Sequence, residues 1–263
     1  MSRRDGQQRY IESLASEITE ASGSEVGTVM VFRDVSERVR LHREMIYRAT
    51  HDALTGALNR DEFERRVQMA VRTTHACGTH YALMYIDLDR FKLVNDAGGH
   101  AAGDRLLKQV AGLITRHSRP GDTVARVGGD EFGLLIEQCA ADDGMKMAQR
   151  ICEELDAFRF REGDLYLHVG ASIGLVMLDL SWVSAENILR AADSACYAAK
   201  AAGRNRVHLY TATDELIESQ HEDMQWARRL EMALDNLSSH CCGSKSAHSS
   251  RARTLYMARC CCD

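Results

Sequence analysis

The sequence is poor in proline, in aromatic residues and in long apolar runs. Pro120 is the only proline among 263 residues, which excludes a proline-rich or collagen-like chain. The longest uncharged apolar stretch, residues 165–178, contains a histidine and is too short to span a bilayer, so it predicts a buried strand. The net charge of −5 argues against nucleic-acid binding. Without a signal peptide, these features predict a cytoplasmic protein with no membrane span.

Nine cysteines are present, but their spacing forms no recognisable metal or disulfide motif. Five of them lie in residues 238–263 together with His240 and His248, and no CxxC pair supports a zinc site there. We interpret this segment as a disordered, non-native tail that follows a frame change or premature end. The other four cysteines are scattered between residues 77 and 196 and need no disulfides.

A glycine-rich connection joins two strand-like stretches, residues 123–127 and 132–136. Gly128 and Gly129 could supply the positive φ angles of a tight hairpin and leave room for a large ligand against the backbone. The adjacent Asp130 and Glu131 repel each other unless a cation or a proton lies between them. An isolated motif of this kind is most often an ordinary turn with solvated acids, so its meaning depends on the rest of the chain.

A second acidic cluster follows the apolar run at residues 81–86. Asp87 is the stronger candidate for a site residue, because Asp89 lies on the same side only if extended geometry continues. Acids at the open end of a buried strand can hold a hard cation. Without further evidence, however, acids at a strand end often only keep that end hydrated and serve as a solubilising cap. Beside the hairpin, Asp87 and Asp130 would form a carboxylate pair suited to Mg²⁺ and a triphosphate.

Five short motifs occur in order between about Thr50 and Tyr210. They are DALTGALNR at 52–60, DLDRFKLVND at 87–96, GHAAGD at 99–104, ARVGGDEF at 125–132 and AKAAGRNRV at 199–207. With these motifs the chain resembles the GGDEF domain, the catalytic domain of diguanylate cyclases, which joins two GTP molecules into cyclic di-GMP. The resemblance implies an α+β fold with a central, mostly antiparallel sheet flanked by helices, similar to nucleotidyl cyclases and polymerase palm domains.

The resemblance also implies a metal and catalytic centre. Asp87 and Asp130, with the Leu88 carbonyl, would ligate Mg²⁺ or Mn²⁺. Asp130 and Glu131 would be the catalytic acids, with Glu131 either on a second metal or assisting deprotonation of the ribose 3′-OH. A 3′-oxygen would attack the α-phosphate of a second GTP and expel pyrophosphate.

Five further positions match the substrate-binding residues of that family: Asn95, His100, Asp104, Lys200 and Arg204. A carboxylate such as Asp104 can accept hydrogen bonds from guanine N1–H and N2–H, a donor pair that adenine lacks. Lys200 and Arg204 lie four apart on a predicted helix end, so they would share a face that meets phosphates. Taken separately, the two form an ordinary solvated basic face.

The segment Arg119-Pro120-Gly121-Asp122 predicts a type II turn. An RxxD sequence five residues before the glycine pair also resembles the product-inhibition site of the family, with Arg150 as a second contributor. Arginine suits both guanine edges and phosphates. A bare surface turn is the alternative.

Function and assembly follow from the resemblance. Each domain would hold one GTP, so the expected diguanylate cyclase acts as a homodimer, with GTP as substrate and cyclic di-GMP as product and inhibitor. The alternative is a catalytically silent regulatory module that binds GTP or cyclic di-GMP.

The chain outside the catalytic domain, predicted at 51–212, divides into short segments. Residues 1–35 are predicted to form two or three strands that resemble the last hairpin of a PAS domain. Residues 36–50 predict a signalling helix, either with a short coiled-coil seam or packed on its own domain. Residues 213–237 resemble the lead-in to an EAL domain, which itself is absent. The seam residues would be Val35, Val39, His42, Ile46 and Ala49.

Overall fold

The computed structural model describes residues 9–19, 25–162, 165–211 and 214. Nine strands and five helices lie in these ranges. The strands are β1 (Ile11–Thr19), β2 (Glu25–Asp34), β3 (Tyr81–Leu88), β4 (Thr123–Arg126), β5 (Glu131–Glu137), β6 (Arg159–Glu162), β7 (Leu165–His168), β8 (Ala171–Leu178) and β9 (Arg206–Leu209). The helices are α1 (Ser36–Thr50), α2 (Arg60–Cys77), α3 (Phe91–His117), α4 (Ala141–Ala157) and α5 (Ala185–Ala201).

Five of the strands form the central sheet, in the order β4-β5-β3-β8-β9. β3 pairs antiparallel with β5 and β8, and β5 pairs antiparallel with β4. Only β8 and β9 are parallel within this sheet. The prediction of an α+β fold with a mostly antiparallel sheet is therefore confirmed.

The alternation of side chains along β3 divides the core into two layers. Met84 and Ile86 belong to the cluster that includes buried residues of α3 and α4, whereas Leu83 belongs to the cluster formed with α2 and α5. Because successive strand residues point to opposite faces, Tyr85 and Asp87 share the α2–α5 face with Leu83. Side chains of α2 and α5, rather than those of α3 and α4, can therefore reach Asp87 at the end of β3.

The apolar stretch at residues 165–178 was predicted to form one strand, but it forms two, β7 and β8. β7 pairs with β6 outside the central sheet, whereas β8 lies next to β3. Between them, the Gly170 carbonyl accepts a hydrogen bond from Asp89 N, at 2.9 Å. A side chain at Gly170 would press against Asn205, so the chain changes sheets at a position where the backbone is closely covered.

The N-terminal part of the described chain is a hairpin followed by a helix. β1 and β2 pair antiparallel, which confirms the predicted strands, and α1 spans the predicted residues 36–50. None of the residues of α1 is buried. The PAS assignment of the hairpin stays a prediction, and the predicted turn at residues 20–24 lies outside the described residues.

The predicted EAL lead-in at 213–237, apart from residue 214, and the cysteine-rich segment at 238–263 also lie outside the described residues. Of the helices that the structure describes, none combines the length and hydrophobicity needed to cross a bilayer. Four cysteines are described, and all four are free thiols: Cys77, Cys139, Cys152 and Cys196.

Candidate active site

Three carboxylates meet where β3 ends and β5 begins. Asp87 stands directly opposite Glu131 in the register of the two strands. The Leu88 amide donates to the Asp130 carbonyl at 3.2 Å, which fixes the hairpin turn against the end of β3. Asp87 is only 8% exposed, whereas Asp130 and Glu131 are partly buried. The structure thus brings together the acids that the two sequence motifs supply.

The two glycines of the turn do not have the first of their two predicted roles, which was to supply positive φ angles. Neither Gly128 nor Gly129 adopts a positive φ. A side chain at Gly128 would overlap the Glu131 carboxylate, and Gly129 faces open space. The prediction of a positive-φ hairpin was wrong, because this four-residue connection, residues 127–130, closes through a hydrogen bond from Val127 N to the Glu131 carbonyl without left-handed residues. The glycines do provide room: the Glu131 carboxylate fills the space beside Gly128, and the space beside Gly129 is open.

Arg126 holds the carbonyl at the tip of this turn. Its Nη2 donates to Gly129 O at 2.7 Å, and its Nη1 lies 3.3 Å from both carboxylate oxygens of Asp52. Asp52 in turn accepts hydrogen bonds from the amide and hydroxyl of Thr55. Arg126 and Asp52 both lie in motifs named above, but the sequence predicted no role for either residue. The position of Arg126, two residues before the glycine pair, was the one feature that could have indicated its contact with the turn.

Lys200 reaches the acidic cluster from the last turn of α5. Its Nζ lies 2.5 Å from Asp87 Oδ2. The pKa of Asp87 is raised to about 6: burial is the largest cause, the hydrogen bond and charge of Lys200 oppose it, and the charges of Asp130 and Glu131 add to it. Burial would lower the pKa of Lys200, but the hydrogen bond and charge of Asp87 outweigh burial and raise it. Without Lys200, Asp87 would be a poorly solvated carboxylate among like charges.

The donor set fits a divalent cation of the magnesium type. The acids and the Leu88 carbonyl supply hard oxygen ligands, and the Lys200 ammonium already occupies the position of a compensating cation at Asp87. Within the described ranges, no group of three or more His, Cys, Asp and Glu side chains is arranged so that it could hold a metal ion. Mg²⁺ is usually held by one or two carboxylates plus substrate phosphates, so a complete protein cage is not required.

The predicted helical pairing of Lys200 and Arg204 was wrong. α5 ends at Ala201, and Gly203, Arg204 and Asn205 all have positive φ, so Arg204 lies in a loop beyond the helix. The loop is tied to Asp89, whose carboxylate accepts from Asn205 N at 2.9 Å and Ser172 Oγ at 2.8 Å.

Arg204 Nε lies 3.9 Å from Asp89 Oδ1. Arg204 therefore pairs with Asp89, just after β3, whereas Lys200 pairs with Asp87 at the end of β3. Asp89 is 7% exposed and bonded internally. It therefore serves to anchor the loop, and Asp87 alone of this pair belongs to the carboxylate cluster.

Three of the predicted substrate-binding residues lie on α3, around a kink. Gly99 (φ 72°, ψ 170°) interrupts the helix between Asn95 and His100. Asn95 packs against Gly103, where any side chain would overlap the Asn95 amide oxygen. Asp104 follows directly and is exposed, as is His100. The kink thus brings Asn95 next to the helical turn that carries Asp104, which nine residues of straight helix would not do.

The predicted turn at residues 119–122 is present. The Asp122 amide donates to the Arg119 carbonyl at 3.0 Å, Gly121 has a φ of 112°, and the Asp122 carboxylate accepts from the Arg119 amide at 2.7 Å. Arg119 and Arg150 line one cavity of about 540 Å³. The wall of this cavity also contains three basic side chains and one acid: Arg116, His117, Lys146 and Asp143. The cavity is therefore strongly basic.

Comparison with known families and proteins agrees with this geometry. The profile of the family described as "Diguanylate cyclase, GGDEF domain" matches residues 49–206. The chain is 40% identical over 215 residues to the probable diguanylate cyclase DgcE of Escherichia coli, covering 81% of this chain and 19% of DgcE. It is 35% identical over 227 residues to the cyclic di-GMP phosphodiesterase PdeB of Shewanella oneidensis, covering 86% of this chain and 26% of PdeB. The chain thus spans about a fifth to a quarter of these relatives.

Solved structures show the same fold. The coiled coil and GGDEF domain of DgcB from Caulobacter crescentus, in complex with c-di-GMP, matches with a TM-score of 0.62 and 31% identity. That match covers 66% of this chain and 92% of the DgcB chain. The GGDEF domain of PA1120 from Pseudomonas aeruginosa matches with a TM-score of 0.60 and 35% identity, over 64% of this chain and 98% of that chain.

Proposed function

The chain belongs to the diguanylate cyclase GGDEF family, and on this premise we propose that it condenses two GTP into cyclic di-GMP with release of pyrophosphate. The observation that carries the proposal is the cluster of Asp87, Asp130 and Glu131 at one sheet end, with the Lys200 ammonium on Asp87. Phosphoryl transfer depends mainly on positioning and charge neutralisation, which such a cluster provides.

Asp87, Asp130 and the Leu88 carbonyl are the proposed ligands of Mg²⁺ or Mn²⁺. When bound, such a cation neutralises phosphate charge and increases the acidity of a coordinated hydroxyl. Lys200 and Arg204 are placed to attract phosphate oxygens from the loop side of the same sheet end. Glu131 is the proposed companion acid, either as a further metal ligand or as the acceptor of the ribose 3′-OH proton.

Guanine selection is assigned to α3. Asn95 and Asp104 are brought to neighbouring turns by the kink at Gly99, with His100 between them in the chain. The exposed Asp104 carboxylate can accept from guanine N1–H and N2–H, and Asn95 can donate to the O6 carbonyl. Adenine presents the opposite pattern at these edges, so the site would favour GTP.

Assembly as a homodimer follows from the presence of one such guanine site per domain. The nucleophile and the attacked phosphate would then come from different chains. α1 offers a surface for pairing, since its residues are not buried and Leu41, Met45 and Ile46 are about half exposed or more. Product inhibition is assigned to Arg119, Asp122 and Arg150, because the basic cavity suits the phosphates of cyclic di-GMP. We place this activity in the cytoplasm, where GTP is available.

A silent regulatory module is the second candidate. One relative, 35% identical, is named a phosphodiesterase rather than a cyclase, and the chain spans only about a quarter of it. Such a chain would bind GTP or cyclic di-GMP without forming product. The acids argue for the enzyme, because binding alone does not need Asp87 and Glu131 directly opposite each other at one sheet end.

The deciding experiment is incubation of the purified chain with GTP and Mg²⁺, with mass-spectrometric detection of cyclic di-GMP. ATP in place of GTP is the substrate control. We expect cyclic di-GMP from GTP and no cyclic dinucleotide from ATP. Binding of GTP or cyclic di-GMP without turnover would instead establish the silent module.

A further inference from the structure

Tyr85 lies on β3 two residues before Asp87, on the same face of the sheet. Its direct neighbours in β5 and β8 are both glycines, Gly133 and Gly174. A side chain at Gly133 would overlap the ring of Phe63 in α2, and one at Gly174 would overlap the backbone of α5. The two glycines thus let these helices close onto the sheet on either side of Tyr85, which restricts its ring.

The Tyr85 hydroxyl donates a hydrogen bond to Glu131 Oε2 at 3.0 Å. The same Glu131 oxygen occupies the space that a side chain at Gly128 would need. Oε2 is therefore held between Tyr85 and Gly128, and this orients the whole carboxylate.

The two facing carboxylates have different partners. Asp87 and Glu131 are directly opposite each other, an arrangement in which like charges are destabilising. Asp87 is compensated by the charge of Lys200, whereas Glu131 has a neutral donor in Tyr85. A neutral donor fixes the direction of a carboxylate and leaves its negative charge available for a substrate proton or a cation.

We infer that Tyr85 is a positioning residue whose hydroxyl fixes the Glu131 carboxylate beside Asp87 in the orientation that condensation requires. This inference rests on the proposed function, because the orientation matters only if Glu131 takes part in turnover. In the sequence, Tyr85 is one residue of an apolar strand and carries no signal of this role.

The chain contains a matched control at the other end of the same two strands. Tyr81 on β3 stands opposite Glu137 on β5, and its hydroxyl approaches Glu137 Oε1 at 3.5 Å. A tyrosine–glutamate pair thus occurs twice between β3 and β5, once at the acidic cluster and once away from it. Removing each hydroxyl in turn separates a general loss of packing from a loss of positioning.

The experiment compares Tyr85→Phe, Tyr81→Phe and the parent chain by kcat and KM for GTP with Mg²⁺. We expect Tyr85→Phe to lower kcat about five- to tenfold, the rate equivalent of one hydrogen bond, with little change in KM. Tyr81→Phe should retain the parent kcat. An unchanged kcat in Tyr85→Phe, an equal loss in both variants, or a change confined to KM would overturn the inference.

A second measurement separates this inference from the proposed function. Urea unfolding midpoints are measured for Tyr85→Phe, Glu131→Gln and the double variant. If the two residues interact as inferred, the midpoint shifts are not additive, whether or not the chain is active. A parent chain without product defeats the proposed function and with it any role of Tyr85 in turnover. Additive shifts in an active chain defeat the positioning inference alone.

Discussion

At the residue scale, each acid near the end of β3 has a function set by its partners. Asp87 is charged because Lys200 lies on it, Glu131 is directed by Tyr85, and Asp89 is used to anchor the loop after α5. Three carboxylates that look alike in the sequence thus have three different environments. Their expected responses to substitution differ accordingly.

Asp130→Asn should abolish formation of cyclic di-GMP while leaving the fold intact. The substitution keeps the side-chain shape but removes the charge of a proposed metal ligand. Turnover is measured with GTP and Mg²⁺, and folding by thermal unfolding. Asp142→Asn, at an exposed acid in the first turn of α4, is the control and should retain activity. Normal turnover in Asp130→Asn would rule out the site assignment.

Asp104→Ala should weaken GTP binding by about 1–3 kcal/mol, because the guanine edge would lose its charged acceptor. Binding of GTP and ATP is measured by calorimetry for both the parent and the variant. Gln109→Ala, at an exposed position farther along α3, should bind GTP as the parent does. A parent chain with equal affinity for GTP and ATP would contradict the assignment of Asp104.

At the scale of elements, helices and turns are fixed to the sheet by a few polar contacts. Arg126 ties the tip of the β4–β5 hairpin to Asp52, which follows α1. Glu62 in the first turn of α2 is only 8% exposed and accepts from both Arg65 and Arg66, while Arg66 also donates to Thr123 of β4. The second network connects α2 to the edge of the central sheet.

The Glu62 network predicts a stability change at acid pH. The hydrogen bond from Arg65, partly opposed by burial, and that from Arg66 lower the pKa of Glu62 from 4.5 to about 2. A lowered folded-state pKa contributes stability above the unfolded value, 4.5, and this contribution is lost as the pH falls toward 2. Glu62→Gln should therefore reduce the unfolding free energy at pH 7 by about 1–2 kcal/mol and flatten its decline between these pH values.

Urea unfolding at several pH values checks this expectation. Glu64→Gln is the matched control, because Glu64 forms an exposed pair with Arg60 on the same helix, with side chains 44% and 69% exposed. Exposed pairs of this type contribute only a few tenths of a kcal/mol. If Glu62→Gln and Glu64→Gln show the same pH dependence, the Glu62 network does not stabilise the fold as described.

Arg119→Ala should relieve product inhibition, because Arg119 lines the basic cavity between the turn at residues 119–122 and α4. The concentration of added cyclic di-GMP that halves the initial rate should rise at least about tenfold, the effect of losing a charge-assisted contact. Arg72→Ala on α2 is the control for loss of an exposed arginine. Inhibition that survives Arg119→Ala would refute the assignment of this cavity.

At the scale of the whole molecule, the described chain is a GGDEF domain preceded by a hairpin and by a helix without buried residues. A two-stranded hairpin is marginally stable alone, and β2 exposes Val29, Met30, Val31 and Phe32. These elements therefore have apolar surface available for contacts with another chain. The short seam of α1 would contribute only weakly to such contacts.

The proposed dimer predicts a rate that depends on protein concentration. Below the dissociation constant of the dimer, the rate of cyclic di-GMP formation should rise faster than linearly with chain concentration. Serial dilution with a fixed GTP concentration, combined with light scattering, tests this expectation. Specific activity that stays constant on dilution into the monomer range would show that one chain is sufficient.

The sequence by itself determined the fold class and the family, and it supplied the acids of the proposed site. An apolar run of strand length predicted β3, a strand-like stretch beside the glycine pair predicted β5, and motifs at fixed spacing singled out Asp87, Asp130 and Glu131, because local patterns and short-range spacing are written directly in the chain. The turn at residues 119–122 was predicted for the same reason: proline and glycine restrict or release single backbone angles.

Only the tertiary structure decided which residues meet across the sheet. Lys200 contacts Asp87 and Tyr85 contacts Glu131 because α5 and the strand register place them together, and neither depends on local pattern. The same packing explains the wrong predictions: the space at Gly128 is needed for Glu131, and the loop beyond α5 follows Asp89 instead of continuing the helix. Contacts between distant segments depend on how whole elements pack, and no short window of sequence contains that information.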